Sequence, residues 1–130
     1  MKILLIRTDH PEAELYIYED EVERSRSIWQ ADRALAESLL RKIDQLCNDS
    51  NLQLKDIEAI GVFAGPGSFT GLRIGHSVAN SLAYSLNVPI VSAGGDGWQV
   101  ATTGRLMNGA DDQIVTPSYG HPVHITKPKK

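Results

Sequence analysis

A glycine-rich turn between two apolar segments constrains the fold of this sequence more than any other feature. Gly65, Gly67, Gly71 and Gly75 separate the apolar run of residues 57–63 from a long amphipathic segment. Glycine adopts backbone angles that other residues disfavour, and it lets a ligand or a second backbone come close. The first N–H groups of a following helix have no partner within that helix. The pattern therefore predicts a strand, a tight turn and a helix, with any functional site facing the turn.

Hydrophobic spacing predicts the other elements of the chain. Strands are expected at residues 3–6, 14–19, 22–29, 57–63 and 89–92, and helices at residues 32–48 and 72–86. The first three strands suggest an antiparallel meander, whereas the later strands, joined through helices, suggest parallel crossovers. The order βββαβαβ therefore predicts an α/β fold: a mixed sheet with helices packed on it. This is the order of the ribonuclease H-like domain of the actin-like ATPase superfamily.

The bulk composition narrows the class of protein. A chain of 130 residues with a formal net charge of −3 suits one core and argues against tight nucleic-acid binding by the whole surface. No segment approaches the roughly 18 apolar residues of a membrane span. Cys47 is the single cysteine, so no disulfide can form within the chain. We therefore expect a cytoplasmic protein that does not bind a membrane, with Cys47 as a small core residue.

The glycine turn could hold a phosphate group through its backbone N–H groups and through Gly67, Ser68 and Thr70. Two phosphate-binding patterns are absent, because the turn lacks a Gly-Lys-Ser/Thr ending and fails the dinucleotide fingerprint at its last glycine. Three interpretations stay open. Ser68 or Thr70 caps the helix while the glycines allow close packing, the turn contacts a partner, or it binds a nucleotide. We favour the first interpretation and expect no cofactor.

Metal-assisted phosphoryl transfer would need a carboxylate at the end of the first strand, where Arg7 stands instead. Asp9 follows two residues later, in a predicted turn. The histidines form no metal-ligand pair at helical spacing, and His121 and His124 lie in a proline-rich tail. We therefore nominate no catalytic residue and no metal ligand.

The two predicted helices carry more small and apolar residues than packing on the sheet requires. In the second helix, Val78, Leu82 and Leu86 form the stripe that we expect to face the sheet. Small residues beside this stripe allow another helix to approach closely. We expect a partner chain to contact residues off the main stripes, namely Leu40, Leu72, His76, Ala79, Ala83 and Tyr84.

Residues 65–75, which read Gly-Pro-Gly-Ser-Phe-Thr-Gly-Leu-Arg-Ile-Gly, resemble the signature of the bacterial TsaB (YeaZ) family, and the similarity extends over about residues 1–95. The resemblance implies a non-catalytic member of the actin-like ATPase superfamily that takes part in making N6-threonylcarbamoyladenosine in ANN-decoding tRNAs. Family members pair with the catalytic paralogue TsaD through their N-terminal helices, the pair recruits the ATPase TsaE, and members alone form homodimers. The resemblance thus implies TsaD and TsaE as partners, with tRNA contacted only indirectly.

Two departures from the family pattern stand out. The family has Ile-Asp-Thr after the first strand, whereas this chain has Ile6, Arg7 and Thr8, which removes the carboxylate that metal–nucleotide chemistry would use. The family also has a second α/β domain, which we expect to be largely missing. We predict a TsaB-like α/β domain at residues 1–93. Residues 94–130 are then a remnant of the second domain, with an extended tail similar to the family's Pro-x-Tyr ending.

The expected function is that of a scaffold subunit without enzyme activity, which stabilises TsaD by helix-bundle pairing. Two alternatives stay open. The chain is a degenerate nucleotide-binding domain that uses the glycine turn, or it is a homodimeric interaction module with another partner.

Overall fold

The computed structural model describes residues 1–118, which form a five-stranded mixed sheet with helices on both faces. The strands are β1 (Lys2–Arg7), β2 (Glu12–Glu19), β3 (Val22–Gln30), β4 (Ala59–Phe63) and β5 (Ile90–Ala93). The helices are α1 (Leu35–Asp49), α2 (Phe69–Leu86) and α3 (Trp98–Met107), and short 3-10 turns at Asp32–Ala34 and Leu54–Asp56 precede α1 and β4. The strand order in the sheet is β3-β2-β1-β4-β5.

The predicted order βββαβαβ is confirmed, and α3 follows it. The first three strands pair antiparallel, and β4 pairs parallel with both β1 and β5, as the meander and crossovers predicted. Helix α2 begins at Phe69 rather than at residue 72, because Ser68 caps it. The Ser68 hydroxyl oxygen accepts a hydrogen bond from the Gly71 N–H at 3.4 Å.

Two apolar clusters on opposite faces of the sheet hold the layers together. Side chains alternate along β1, so Leu4 and Ile6 join the cluster under α1 and α2, while Ile3 and Leu5 join the cluster under α3. Cys47 is buried in the first cluster, as predicted. Burial raises the pKa of its thiol to about 11, so the thiol stays protonated and unreactive.

Helix α3 covers the second face of the sheet. Trp98 and Leu106 are buried there, and the Trp98 ring meets Phe63 edge to face at 5.7 Å between centroids. Residues 94–118 thus pack on the same sheet as the preceding chain, and their origin as a remnant of a second domain stays a prediction. The predicted tail, including His121 and His124, lies outside the described residues. None of the helices within residues 1–118 combines the length and the apolar character that crossing a membrane requires.

The buried face of α2 differs from the one expected. Four of the six residues expected to contact a partner are at most 4% exposed within this chain: Leu72, His76, Ala79 and Ala83. Their spacing of four, three and four residues places them on one side of the helix, which faces the apolar clusters. Val78 and Leu86 are only partly buried at the margin. The expectation that a partner reaches those four residues is therefore corrected, because the chain's own core already covers them.

His76 is the titratable residue of this buried face. Its Nδ1 lies 2.8 Å from the Leu72 carbonyl oxygen, so Nδ1 carries the hydrogen and donates it, whereas Nε2 has no hydrogen-bond partner within residues 1–118. Burial lowers the pKa of the imidazole from its usual 6.5, and the bond to Leu72 opposes this effect only in part. The imidazole is therefore neutral in the folded chain at neutral pH.

The first turn of α2 packs against the turn between β1 and β2 with no room for side chains. The Thr8 hydroxyl donates a hydrogen bond to the Gly71 carbonyl oxygen at 2.7 Å. A Cβ on Gly71 would overlap the Thr8 carbonyl oxygen, and a Cβ on Gly75 would overlap Thr8 Oγ1. The prediction that these glycines allow close packing is confirmed.

The variant Gly71→Ala should lower the free energy of unfolding by about 1–3 kcal/mol, because the added methyl group must push the Thr8 backbone away from α2. Gly104→Ala is the matched control, since Gly104 lies within α3 and no atom lies within 4 Å of an added Cβ. This control should be stabilising by about 0.5–1 kcal/mol through helix propensity alone. Urea unfolding measures both, and equal effects would contradict the close packing at Thr8.

The variant His76→Gln should remove part of the acid sensitivity of the fold. The unfolded chain binds a proton at this imidazole near pH 6.5, whereas the folded chain binds it only at lower pH. The contribution of neutral His76 is therefore complete above pH 6.5 and is lost as the pH falls below it, by at most about 1.4 kcal/mol per pH unit. Urea titrations above and below pH 6.5 test this, and identical pH slopes for the two proteins would refute it.

Candidate functional site

The carboxyl ends of the parallel strands β1, β4 and β5 meet at one edge of the sheet, which is where α/β proteins commonly bind ligands. The turn between β1 and β2 and the glycine turn at residues 64–68 lie side by side there, since the Ser68 N–H donates to the Asp9 carbonyl oxygen at 3.0 Å. A Cβ on Gly94 would overlap the Gly65 carbonyl oxygen, so the chain after β5 joins the same edge. The glycine turn therefore does face a potential site.

Arg7 occupies this edge together with a buried carboxylate. The Arg7 guanidinium donates from Nε to Asp9 Oδ1 at 2.8 Å and from Nη2 to Asp9 Oδ2 at 3.1 Å. Its Cζ lies 3.9 Å from the centre of the Phe63 ring. The hydrogen bonds to Asp9 hold the pKa of Arg7 above its usual value. His10 Nε2 also lies 3.1 Å from Asp9 Oδ2, so both carboxylate oxygens have partners.

Sequence reasoning missed the group formed by Arg7, Asp9 and His10. Asp9 was expected to lie in a turn without a role, yet its side chain is 2% exposed. A signal was available, because residues two apart at the end of a strand point to the same face. Within residues 1–118, no group of three or more His, Cys, Asp or Glu side chains could hold a metal ion. The arrangement serves charge pairing and places a cation where metal chemistry would need a free carboxylate.

Of the three residues that could bind a cofactor at the glycine turn, two line the same cavity. Ser68 and Thr70 line a cavity of about 720 Å³ together with His10 and Arg33, but Gly67 packs against Asp9 and does not line it. The Ser68 N–H is bonded to Asp9, and the Leu72 N–H donates to the Ser68 carbonyl oxygen at 2.9 Å. These two N–H groups are therefore not available to a phosphate. Nucleotide binding at this turn stays a prediction of the alternative interpretation.

A shallow groove between α1 and α2 is the second candidate site. The residues that line it are Leu40, Ser77, Val78, Ser81, Leu82 and Ser85, and its volume is about 260 Å³. Leu40 is 51% exposed and Tyr84 is 91% exposed, so these two of the six predicted contact residues are open to a partner. The serine side chains that line the groove are short. Another helix can therefore approach α2 closely there.

Comparison with known proteins identifies relatives of this chain. The family model of TsaD, described as tRNA N6-adenosine threonylcarbamoyltransferase, matches residues 29–93. The tRNA threonylcarbamoyladenosine biosynthesis protein TsaB of Bacillus subtilis is 38% identical over 77 residues, which cover 59% of this chain and 31% of that protein. The chain thus spans less than a third of the length of this curated relative.

Solved structures agree with the fold. YeaZ from Pseudomonas aeruginosa superimposes with a TM-score of 0.66 at 25% identity, over 72% of this chain and 43% of that one. Thermus thermophilus RuvC, solved with a Holliday junction substrate, has a TM-score of 0.53 at 12% identity, over 92% of this chain and 85% of that one. The RuvC likeness concerns the fold alone and supports the ribonuclease H-like prediction. The chain therefore belongs to the family that the TsaD model describes and, within it, to the TsaB (YeaZ) members.

Proposed function

We propose that this chain is a non-catalytic scaffold subunit of the cytoplasmic machinery that makes N6-threonylcarbamoyladenosine in tRNA. In this proposal, it pairs with a TsaD-type subunit through the exposed faces of α1 and α2. The family membership supports the pathway, because the TsaB relative is named for threonylcarbamoyladenosine biosynthesis. The ion pair of Arg7 with Asp9 supports a role without metal chemistry, since it neutralises the carboxylate at the strand end.

The observation that carries the proposal is the exposed side chain of Leu40 in the serine-lined groove between the two helices. Leu40 adjoins Val78 and Leu82 in this groove, and exposed apolar surface that is contiguous is typical of protein–protein interaction sites. A helix of the partner that lies over this groove would bury Leu40 and complete a helix bundle. The same face supports self-association when the partner is absent. Recruitment of TsaE by the pair, with tRNA contacted by the other subunits, follows from the family resemblance and belongs to the same proposal.

The variant Leu40→Arg should weaken binding to the TsaD of the same organism at least about tenfold, because a desolvated cation replaces an apolar contact. Val100→Arg is the matched control, since Val100 is 73% exposed on α3, which covers the other face of the sheet. Binding is measured by titration of the purified proteins, with thermal unfolding to verify both folds. Substitution of Ala79 or Ala83 by arginine would not test the interface, because both residues are buried and arginine there would destabilise the fold. If Leu40→Arg binds as tightly as Val100→Arg, the proposed face is wrong.

Nucleotide binding is the second candidate function, and the cavity beside Ser68 and Thr70 is the observation that favours it. Calorimetry with ATP and Mg²⁺ on the isolated chain should give no binding with a dissociation constant below about 100 μM, which corresponds to about −5.5 kcal/mol. Micromolar binding that is lost in Thr70→Val would overturn the scaffold proposal. Co-purification with TsaD in the same study separates the two functions, because a nucleotide-binding module has no need of that partner.

A further inference from the structure

A cavity of about 930 Å³ lies between α2 and the chain that follows α3, on the flank of α2 that carries Tyr84. Two of the residues that line it, Ala83 and Val88, belong to the first apolar cluster or pack against it. Tyr84 and Ile114 line the same cavity, and their side chains are 91% and 70% exposed. The cavity thus combines apolar residues of the core with two large side chains that are open to another molecule.

Ile114 is exposed although the chain is anchored on both sides of it. Before it, the Asp112 carboxylate accepts hydrogen bonds from the Arg105 guanidinium at 2.7 Å and 3.1 Å. After it, the Asn80 carboxamide bonds both backbone groups of Val115 at 2.9 Å, and the Val115 side chain is buried. A contact residue whose backbone is already fixed loses less conformational freedom when a partner covers it. Ile114 is therefore preorganised for contact with another molecule.

This cavity adjoins the groove between α1 and α2. Ser81 lines both of them, because it shares the groove with Leu40 and the cavity with Tyr84 and Ile114. One continuous surface therefore runs from Leu40 across α2 to Ile114.

The lining of this surface carries little charge. Among the described residues that line the groove and the cavity, Asp111 is the only one that is charged at neutral pH. Its Oδ1 already accepts hydrogen bonds from the backbone N–H groups of Ile90 and Gln113, at 3.2 Å and 2.8 Å. The centres of protein–protein interfaces are likewise poor in charged residues and rich in aromatic ones. The lining therefore fits a partner that presents apolar and uncharged polar side chains.

The groove between α1 and α2 is too small to form an interface by itself. A stable protein–protein interface buries about 800 Å² on each partner. Leu40 is the one large exposed side chain in the groove, since its other lining residues are short serines or apolar residues that are largely covered. A partner that docks there needs adjoining surface, and the cavity with Tyr84 and Ile114 supplies it.

We propose that the docking surface for the TsaD-type subunit continues across α2 onto residues 111–114, with Ile114 as its second apolar contact after Leu40. This inference rests on the proposed function, from which it takes the partner. The chain after α3 then has a role in binding, because it extends the surface that α1 and α2 begin. The partner covers Tyr84 and Ile114 together, since both line one cavity.

Protection of an introduced thiol tests this inference at single residues. Cys47 is the single cysteine of the chain and is buried, so a cysteine placed on the surface can be alkylated selectively. Ile114→Cys should react at least about tenfold more slowly with saturating TsaD of the same organism, because the thiol reacts only while the partner is dissociated. Val100→Cys is the matched control, since Val100 is 73% exposed on α3 and should react equally fast with and without TsaD.

Leu40→Cys separates this inference from the proposed function. The expected result is that TsaD protects Leu40→Cys and Ile114→Cys and leaves Val100→Cys reactive. Protection of Leu40→Cys without protection of Ile114→Cys overturns the inference and leaves the proposed function standing. Absence of TsaD binding, or binding that protects neither cysteine, overturns the proposed function and this inference with it.

Ile114→Arg measures how much the contact contributes to affinity. It should weaken binding to TsaD at least about fivefold, because a charge would enter the interface. Thermal unfolding should stay unchanged, since Ile114 is exposed in the free chain. Ile114→Leu should bind as tightly as the unchanged chain, because it keeps the apolar contact. If Ile114→Arg binds as tightly as Val100→Arg, the extension of the surface to residues 111–114 is wrong.

Discussion

The contact between the Thr8 backbone and the first turn of α2 is the constraint on which the rest of this structure depends. Gly71 and Gly75 lie directly on the end of β1 because neither carries a side chain. This contact sets both the position of α2 and its rotation about its own axis. The rotation decides which residues enter the core, which face the groove with Leu40, and which contact residues 111–118. The glycine turn therefore positions a helix, and the surfaces on both flanks of that helix are its consequence.

The order from β1 to β5 was predictable because the strands show apolar runs or alternation and the first two helices show helical hydrophobic spacing. The cap at Ser68 and the burial of Cys47 also followed from local patterns. The rotation of α2 was not predictable. Small residues occur on several of its sides, and the contacts that choose between them come from Thr8, far away in sequence. The packing of residues 111–118 on α2 was equally unpredictable, because Val115 is the single buried side chain among them and has no periodic neighbours. Long-range contacts between small or isolated residues leave little trace in a local pattern.

At the candidate site, too, some features were predictable from the sequence and others depend on long-range contacts. Arg7 could be recognised from sequence as the residue that takes the place of a carboxylate. The deep burial of Asp9 and its contacts with Arg7 and His10 could not be recognised, because they depend on how the β1–β2 turn packs against the glycine turn. At the edge of the sheet where related folds place reactive groups, this chain has a self-contained ion pair. The helices also leave surface open to other molecules, in the groove between α1 and α2.

The pairing of Arg7 with Asp9 also limits the routes by which this chain can change. The family resemblance places aspartate at position 7. That substitution would set a second carboxylate beside Asp9 and remove the guanidinium that neutralises it. Leaving a buried charge without its partner costs about 3–5 kcal/mol, which is a large share of the stability of a small domain. Mutational steps toward a metal-binding edge must therefore alter Asp9 before Arg7. The ion pair thus couples positions 7 and 9, so the effect of exchanging one residue depends on which residue occupies the other.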